Sequence, residues 1–477
     1  MSDRAPIRWA FVVAALALAV YASNLGNEFA MDDRYNVVDN PQLRSLTAIP
    51  GHFTQAWAGH VQGGIDEAIN RSYWRPITAT SWTIDYALFG LSPFGFHLIN
   101  NLLHALISAL MVWWLWRLCA NRRVAVAAGL IFALHPLHTE AVNLVTYRTE
   151  LLAALWCLLA LGLRAGPSSA GPSGAGPSGA GLTRLAPVAL CYALGLGSKE
   201  IAVTLPGWLL LQDWAMGRVT RKNLRQLAPL YLSLSLILAS YLVIRGALLS
   251  NNPMPFFGAL SVTQTIGSVL KIHAFYLQKW LLPYPLNPFW DMSTLQPALS
   301  LADPMAVLGA AALLGSVGWA LRSLWRGQDS KWPALGVLCW WLGLLPVSHL
   351  VPIPVGAGER FTYLSSIGAC LTCAALIDRA WSARWRSPVL VAVVAWCVIA
   401  GGWTAARGLH WKNDETLMRQ VIADMPHSFN GHHLLGQLLY DDKRCAEALK
   451  EFRAAEQILP GFAPNQPWLA RAQRCAQ

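Results

Sequence analysis

The sequence predicts an α-helical polytopic membrane protein, and three observations carry that expectation. Hydrophobic residues make up 55% of the 477 residues and charged ones only 13%, against roughly a quarter in soluble domains. Apolar windows of about 18–20 residues recur, long enough to cross roughly 30 Å of hydrocarbon. The basic residues behind the net charge of +11 lie between those windows, not in one solvated patch, which argues against nucleic-acid binding.

The first window, near residues 7–24, has a basic start and ends in Val20-Tyr21-Ala22. A cleaved signal peptide therefore competes with an uncleaved anchor; the acids just beyond it favour the anchor. Further windows fall near 95–117, 123–137, 149–164, 185–198 and 200–216, then near 227–246, 303–324, 332–350, 360–380 and 388–406. One more, near 263–282, carries Lys271, His273 and Lys279 in mid-segment, which is costly at the bilayer centre. It reads as an amphipathic or re-entrant helix on the outer face.

Positive charge sets the orientation. Arg117, Arg122 and Arg123 form one basic cluster, and Arg218, Arg221, Lys222 and Arg225 a second. Arg322, Arg326 and Lys331 make a third, and Arg379, Arg384 and Arg386 a fourth. Placing all four in the cytoplasm satisfies the positive-inside rule with about eleven spans, the N-terminus inside and the C-terminus outside.

Four regions follow. Residues 1–164 form a first membrane module with a long first outer loop, 25–94. Residues 165–183 are a Gly/Pro/Ser linker whose short repeat AGPSSAGPSGAGPSGAG cannot bury a core. Residues 184–406 form a second membrane part that includes an outer-face segment, 247–302, and residues 407–477 are a tail of soluble composition. In the tail, Leu435, Gly436, Ala448, Phe452, Ala455 and Pro460 fall at the offsets of a tetratricopeptide repeat. His432 stands where Trp is usual and Leu439 where Tyr is usual. One repeat with flanking halves is short of the usual three, so the tail is expected to lean on the membrane part or a partner. Of nine Cys, Cys370 and Cys373 lie in an apolar helix and read as packing. Cys445 and Cys475 either staple the last two tail helices or remain free thiols.

Ionisable residues gather on the outer face. Asp32 and Asp33 follow the first span in NEFAMDDRYNVVDNP, and Arg75 lies in SYWRPI of the long loop. His97 opens the second span, His138 and Glu140 sit in HPLHTE, Arg148 and Glu150 in YRTE, Lys199 and Glu200 in GSKE, and Glu359 and Arg360 in GERFTYL. Such groups near membrane depth are expensive and usually functional. Each also has a structural reading: the histidines as interhelical hydrogen-bond partners, and the glutamates as salt-bridge partners of Arg148 and Lys199. HPLHTE lacks the H-E-x-x-H spacing, so no metal site and no cofactor are expected. An interfacial carboxylate can serve as a general base, and Arg and Lys can hold a phosphate leaving group.

NEFAMDDRYNVVDNP, WRPI, FHLINNLLH, HPLHTEAVNLVTYRTELL, SKE and GERFTYLSSIG follow one another in the order found in the transmembrane and tetratricopeptide-repeat O-mannosyltransferases and their bacterial relatives. The chain resembles that family over nearly its whole length. The resemblance implies a GT-C glycosyltransferase fold, a polyprenyl-phosphate-linked sugar donor, a periplasmic protein or glycan acceptor and an inverting transfer at the outer face of a bacterial inner membrane. It places the base at Asp32 or Asp33. Arg75, Arg148, Lys199 and Arg360 become candidates for the donor phosphate, and His97, His138, Glu140, Glu150, Glu200 and Glu359 for shaping the site. The family's Tyr-Arg-Pro is Trp74-Arg75-Pro76 here, and the tail is short beside the long repeat arrays of eukaryotic members. Two rivals stay open: a non-catalytic scaffold whose tail binds periplasmic partners, and a transporter with a proton relay.

Overall fold

One helix carries a stripe of polar residues and organises the rest. In Pro93–Cys119, His97, Asn101, His104 and Ser108 recur at helical spacing and are buried together with Met111 and Leu115. In a low-dielectric bundle such groups must find partners on neighbouring helices. Asn101 and Asn24 exchange amide hydrogen bonds of 2.7 and 3.0 Å, and Asn24 also donates to Asn143 at 3.0 Å. His104 Nδ1 lies 2.7 Å from the Tyr363 hydroxyl.

The computed structural model describes residues 4–56, 73–166, 182–249, 256–258, 260–290, 293–327, 330–351, 353–381 and 384–477. Most of the linker expected at 165–183, and the part of the first outer loop at 57–72, lie outside them. The longer helices are α1 Arg4–Tyr21, α2 Pro76–Phe89, α3 Pro93–Cys119, α4 Arg122–Leu134, α5 Arg148–Ala165, α6 Leu182–Ser198 and α7 Leu205–Ala215. They continue with α8 Leu224–Leu248, α9 Val262–Leu281, α10 Pro304–Trp325, α11 Lys331–Leu344, α12 Ser366–Ala380 and α13 Arg386–Gly408. The tail holds α14 Asp414–Asp424, α15 Phe429–Asp441, α16 Cys445–Ile458 and α17 Gln466–Ala476. Helix α3 packs against α1, α4 and α5; α12 packs against α4 and α11. Helices α11 and α12 cross at Gly336 and Gly368, where an added Cβ on either would stand 2.4–2.5 Å from the other's carbonyl oxygen.

The span count differs from the expectation. Among the described residues six helices are long and apolar enough to cross a membrane, or seven if Arg122–Leu134 and Pro136–Asn143, bent by 52°, are one span. The expected spans 200–216, 332–350 and 360–380 shrink to α7, α11 and α12, of 11, 14 and 15 residues. At ~1.5 Å per residue they reach roughly 17–23 Å, short of the hydrocarbon thickness. The cause is local. The apolar runs break into 3₁₀ turns at Pro136–His138, Glu200–Thr204, Leu345–Val347 and Glu359–Thr362. These breaks meet one another: the first touches the last and the second touches the third. The short helices thus stop at one end of the bundle and leave a polar recess there.

The four basic clusters fall at the opposite ends of the same helices, in the turns before α4, α8, α11 and α13. There the buried Asp213 receives Arg164 at 2.8 Å, Arg218 at 3.1 Å and the Tyr231 hydroxyl at 3.0 Å. Helix α9, expected to be amphipathic, keeps its mid-segment charges satisfied. Lys271 pairs with Asp303 at 3.0 Å, and Lys279 donates to the Pro285 carbonyl at 2.8 Å. Its Ser268 holds the backbone of Ala298, in the chain leading to α10, while Trp280 stacks on His135 of the recess.

In the tail, α15 and α16 form a hairpin closed around Phe452, which is fully buried with Ala448 and Ala455. A Cβ on Gly436 would meet the Phe452 ring at 2.8 Å. Trp468 of α17 stacks on the other side of that ring, and Cys445 and Cys475 are disulfide-bonded, tying α17 to the start of α16. His432, in place of Trp, bonds Glu451 at 2.7 Å. The tail also packs on the recess, with Trp411, Leu417 and Met418 in one apolar cluster with Ala30, Leu144 and Tyr147.

Gly436→Ala forces a buried ring to move and should cost about 1–3 kcal/mol. The expected result is faster proteolysis within residues 429–477 while the membrane helices stay protected.

Candidate active site

The recess is lined by turns because turns are where helices expose their end groups and can turn charged side chains toward one point. Asp32 and Asp33 follow α1; Tyr73 and Arg75 precede α2; Glu140 and Tyr147 lie between α4 and α5. Lys199 and Glu200 separate α6 from α7, and Arg360 precedes α12. Sequence reasoning named most of these, and the fold brings them together.

The two adjacent aspartates have different surroundings. Asp33 is fully buried and accepts the backbone N–H groups of Thr146 at 2.7 Å and Val145 at 3.2 Å. It thereby fastens the loop after α1 to the start of α5. Burial drives its carboxyl up to about 7, against the lowering effect of those N–H donors. Asp32 is half-buried, and its Oδ2 accepts the Tyr147 hydroxyl at 3.0 Å.

Around Asp32 the charges run in pairs. Arg360 is ion-paired with Glu140, its backbone N–H also donates to Glu140 at 2.8 Å, and its guanidinium lies 4.2 Å over the Tyr147 ring. Burial opposes the Arg360 charge, but Glu140, Tyr147 and Asp32 more than offset it. Lys199 pairs with Glu150, and the Phe361 ring lies 5.0 Å from Lys199 and 4.6 Å from Arg360. Burial pushes the Lys199 ammonium below its ordinary value despite Glu150. Arg75 grips Glu200 with two bonds, of 2.6 and 3.1 Å. Burial alone would raise the Glu200 carboxyl; Arg75 and then Lys199 hold it well below the usual range.

Arg75 also lines a small cleft with Asn40, Gln42, His52 and Gln55. Tyr73, which sequence reasoning missed, lies under the Arg75 guanidinium at 4.3 Å and feels Glu200, Arg360 and Asp32 as well. Trp74, at the position where an aromatic change was noted, turns away and stacks on Tyr241.

Four expected site residues stand apart from this group. Arg148, expected as a phosphate contact, is fully buried, ion-paired with Asp85, and bonded to Asn100 at 2.7 Å and the Phe96 carbonyl at 3.0 Å. Every edge of it is committed, so it braces α2 against α3 and α5. His138 is fully buried between the Phe132 carbonyl and the Ser366 hydroxyl, and His97 is buried beside the Glu28 carbonyl. Glu359 points toward Arg407, at 3.4 Å, and accepts the Asn287 N–H; burial raises its carboxyl above the usual range. Asp85, Asn100 and Arg407 were also missed. A lone acid in the apolar stretch TIDYALF was the signal for Asp85. Among the described residues no group of three His, Cys, Asp or Glu side chains is placed to hold a metal ion.

No protein-family model matches the chain. The sequence is similar along most of its length to TMTC protein O-mannosyl-transferases. TMTC3 of Mus musculus is 27% identical over 485 residues, covering 94% of this chain and 51% of that protein. TMTC1 of Homo sapiens is 24% identical over 501 residues, covering 96% and 56%. Tmtc2 of Drosophila melanogaster is 30% identical over 324 residues, covering 66% and 34%. The chain spans about half the length of the relatives it matches. Among solved structures, the oligosaccharyltransferase AglB from Archaeoglobus fulgidus, in complex with an inhibitory peptide and a dolichol-phosphate, overlaps 84% of this chain and 56% of that chain, at TM-score 0.46 and 13% identity. ArnT from Cupriavidus metallidurans bound to undecaprenyl phosphate overlaps 100% and 78%, at TM-score 0.44 and 13% identity.

Two expectations follow from the buried charges. Arg148→Met leaves Asp85 unpaired and should cost about 3–5 kcal/mol; thermal unfolding in detergent should show the loss, and Arg148→Met with Asp85→Leu should recover part of it. Burial lets Asp33 keep its proton in the folded protein up to about pH 7, whereas a free Asp side chain loses it at about pH 4. The folded state binds the extra proton between those values, so this group's contribution to stability falls as pH rises through that window. Asp33→Asn cannot titrate, and its unfolding temperature should change less steeply than wild type between pH 4 and 7.

Proposed function

We propose that the protein transfers a sugar, mannose by analogy with its named relatives, from a polyprenyl phosphate to a hydroxyl on a protein or glycan acceptor at the recessed face. The observation that carries the reading is the contrast around Asp32. The other acids of the recess answer cations or backbone amides, while Asp32 accepts only the Tyr147 hydroxyl among the contacts described. A half-exposed carboxylate held by one neutral donor keeps lone pairs for an incoming hydroxyl, which is what a general base requires.

The step balances as follows. The acceptor oxygen attacks the anomeric carbon and gives its proton to the Asp32 carboxylate. The bond from that carbon to the phosphate oxygen breaks, and the lipid phosphate leaves with the electron pair. Attack opposite the leaving group inverts the anomeric centre. In this reading Arg75, which lines the cleft and is held by Glu200, brings its charge to the phosphate. Arg360 and Lys199, each balanced by a glutamate, supply fixed positive charge beside it without reorganisation during the reaction. Asp33 is assigned no chemical part; it shapes the loop. In this reading the recess is periplasmic, at a bacterial inner membrane, and the tail meets the acceptor.

The test uses purified protein in lipid with a radiolabelled polyprenyl-phosphate mannose. Wild type should release lipid phosphate. Asp32→Asn should lose about a hundredfold or more of that rate, and Asp33→Asn should keep turnover at reduced stability. Equal rates in all three would remove Asp32 from the chemistry.

A further inference from the structure

The loop that carries Asp32 is held from a direction its own sequence does not reveal. Three hydrogen bonds tie residues 27–31 to the junction between the last membrane helix and the tail. Asn27 Nδ2 donates to the Gly408 carbonyl at 3.0 Å, the Glu28 N–H to the Lys412 carbonyl at 2.8 Å, and the Met31 N–H to Asp414 Oδ1 at 2.6 Å. The third bond is the informative one. Met31 has φ +50°, a left-handed conformation that costs a residue with a side chain roughly 1–2 kcal/mol and persists only where its surroundings enforce it. It immediately precedes Asp32.

Asp414 is free to enforce it because its own helix does not need it. The N-cap of α14 is Asn413, whose side chain accepts the Thr416 N–H at 3.0 Å. The Asp414 carboxylate, half-buried, is therefore spent on Met31, and Arg34, Asp32 and Glu28 are the charged groups around it. With Asp414 fixing the residue before Asp32 and Thr146 fixing the residue after it, the base has little freedom except its own side-chain rotation.

Resting on the transferase reading, we propose that Asp414 is a positioning residue: its bond to Met31 holds the left-handed turn that aims Asp32 at Tyr147, so the tail is a structural part of the reaction centre. Displacement of a reacting group by about 1 Å can cost on the order of a hundredfold in rate, so a hinge next to the base is a sensitive place for such a bond.

The experiment compares full-length wild type, Asp414→Ala, Asp414→Asn and Glu415→Gln in lipid. Glu415 is the neighbouring acid and pairs within the tail, with Arg419 and Arg444. Two readouts are taken: amide hydrogen exchange over residues 28–34, and kcat and KM with the polyprenyl-phosphate mannose donor. Asp414→Ala should speed exchange in that segment and lower kcat about tenfold or more, with donor KM changed less than about twofold. Asp414→Asn keeps an acceptor oxygen and should restore most of both values, and Glu415→Gln should resemble wild type. Unchanged exchange in Asp414→Ala overturns the clamp. Faster exchange with unchanged kcat overturns the positioning role. A fall of equal size in Glu415→Gln also overturns it, as general loosening of the tail. A wild type inactive with every donor sugar fails the transferase reading instead, and the exchange result alone then decides the clamp.

Discussion

Charge cannot stand alone at the depth this recess reaches, and that constraint orders the structure. Five cations of this region each have an acid as partner: Arg75 has Glu200, Lys199 Glu150, Arg360 Glu140, Arg148 Asp85 and Arg407 Glu359, while the buried Lys279 is held by backbone carbonyls. The partners come from different turns, so pairing the charges also joins the helix ends that carry them. A pair of this kind adds little net stability over a well-packed apolar one, yet losing one partner is costly. The recess is accordingly fixed in composition.

Two uses of charge are visible side by side. On the far face, Arg164 and Arg218 crowd around the buried Asp213, and Arg123 pairs with Asp378; these join α5 to α7 and α4 to α12. Aromatic rings lie against cations at both ends: on the far face Trp113 lies 5.0 Å from Arg117 and Trp381 6.0 Å from Arg123, and the recess has its own. Tyr147 and Phe361 lie against Arg360, and Tyr73 lies against Arg75. Rings satisfy one face of a guanidinium without consuming its N–H donors.

Much of this was legible in the sequence where the signal was local. The apolar windows located the long helices such as α3, α8, α10 and α13 but overcounted the spans, and the spacing of Gly436, Ala448 and Phe452 located the tail hairpin, since neighbours three to four residues apart share a helix face. The breaks were harder. An apolar run such as that ending at Leu134 continues through Pro136-Leu137 in hydropathy, and only the backbone shows it stopping. The gathering of acids and bases on one face was readable from topology, but their division of labour was not. Asp32 and Asp33 are adjacent and chemically identical; what separates them is two backbone amides, Val145 and Thr146, more than a hundred residues away. His138 and Arg148 looked like site residues for the same reason that they are buried: polar groups in apolar helices serve packing as often as chemistry.

The bond between Met31 and Asp414 joins residues 383 positions apart, and this bears on how the molecule is born. A ribosome makes the first acidic loop long before the last membrane helix and the tail. During that interval the loop has its carboxylates but lacks the junction that bends it. Its final shape waits until residue 414 has been synthesised and has reached the same side of the bilayer. A nascent chain stalled anywhere before that point would lack this bond, so synthesis past residue 414 is built into the geometry as a condition for the loop to adopt its final form.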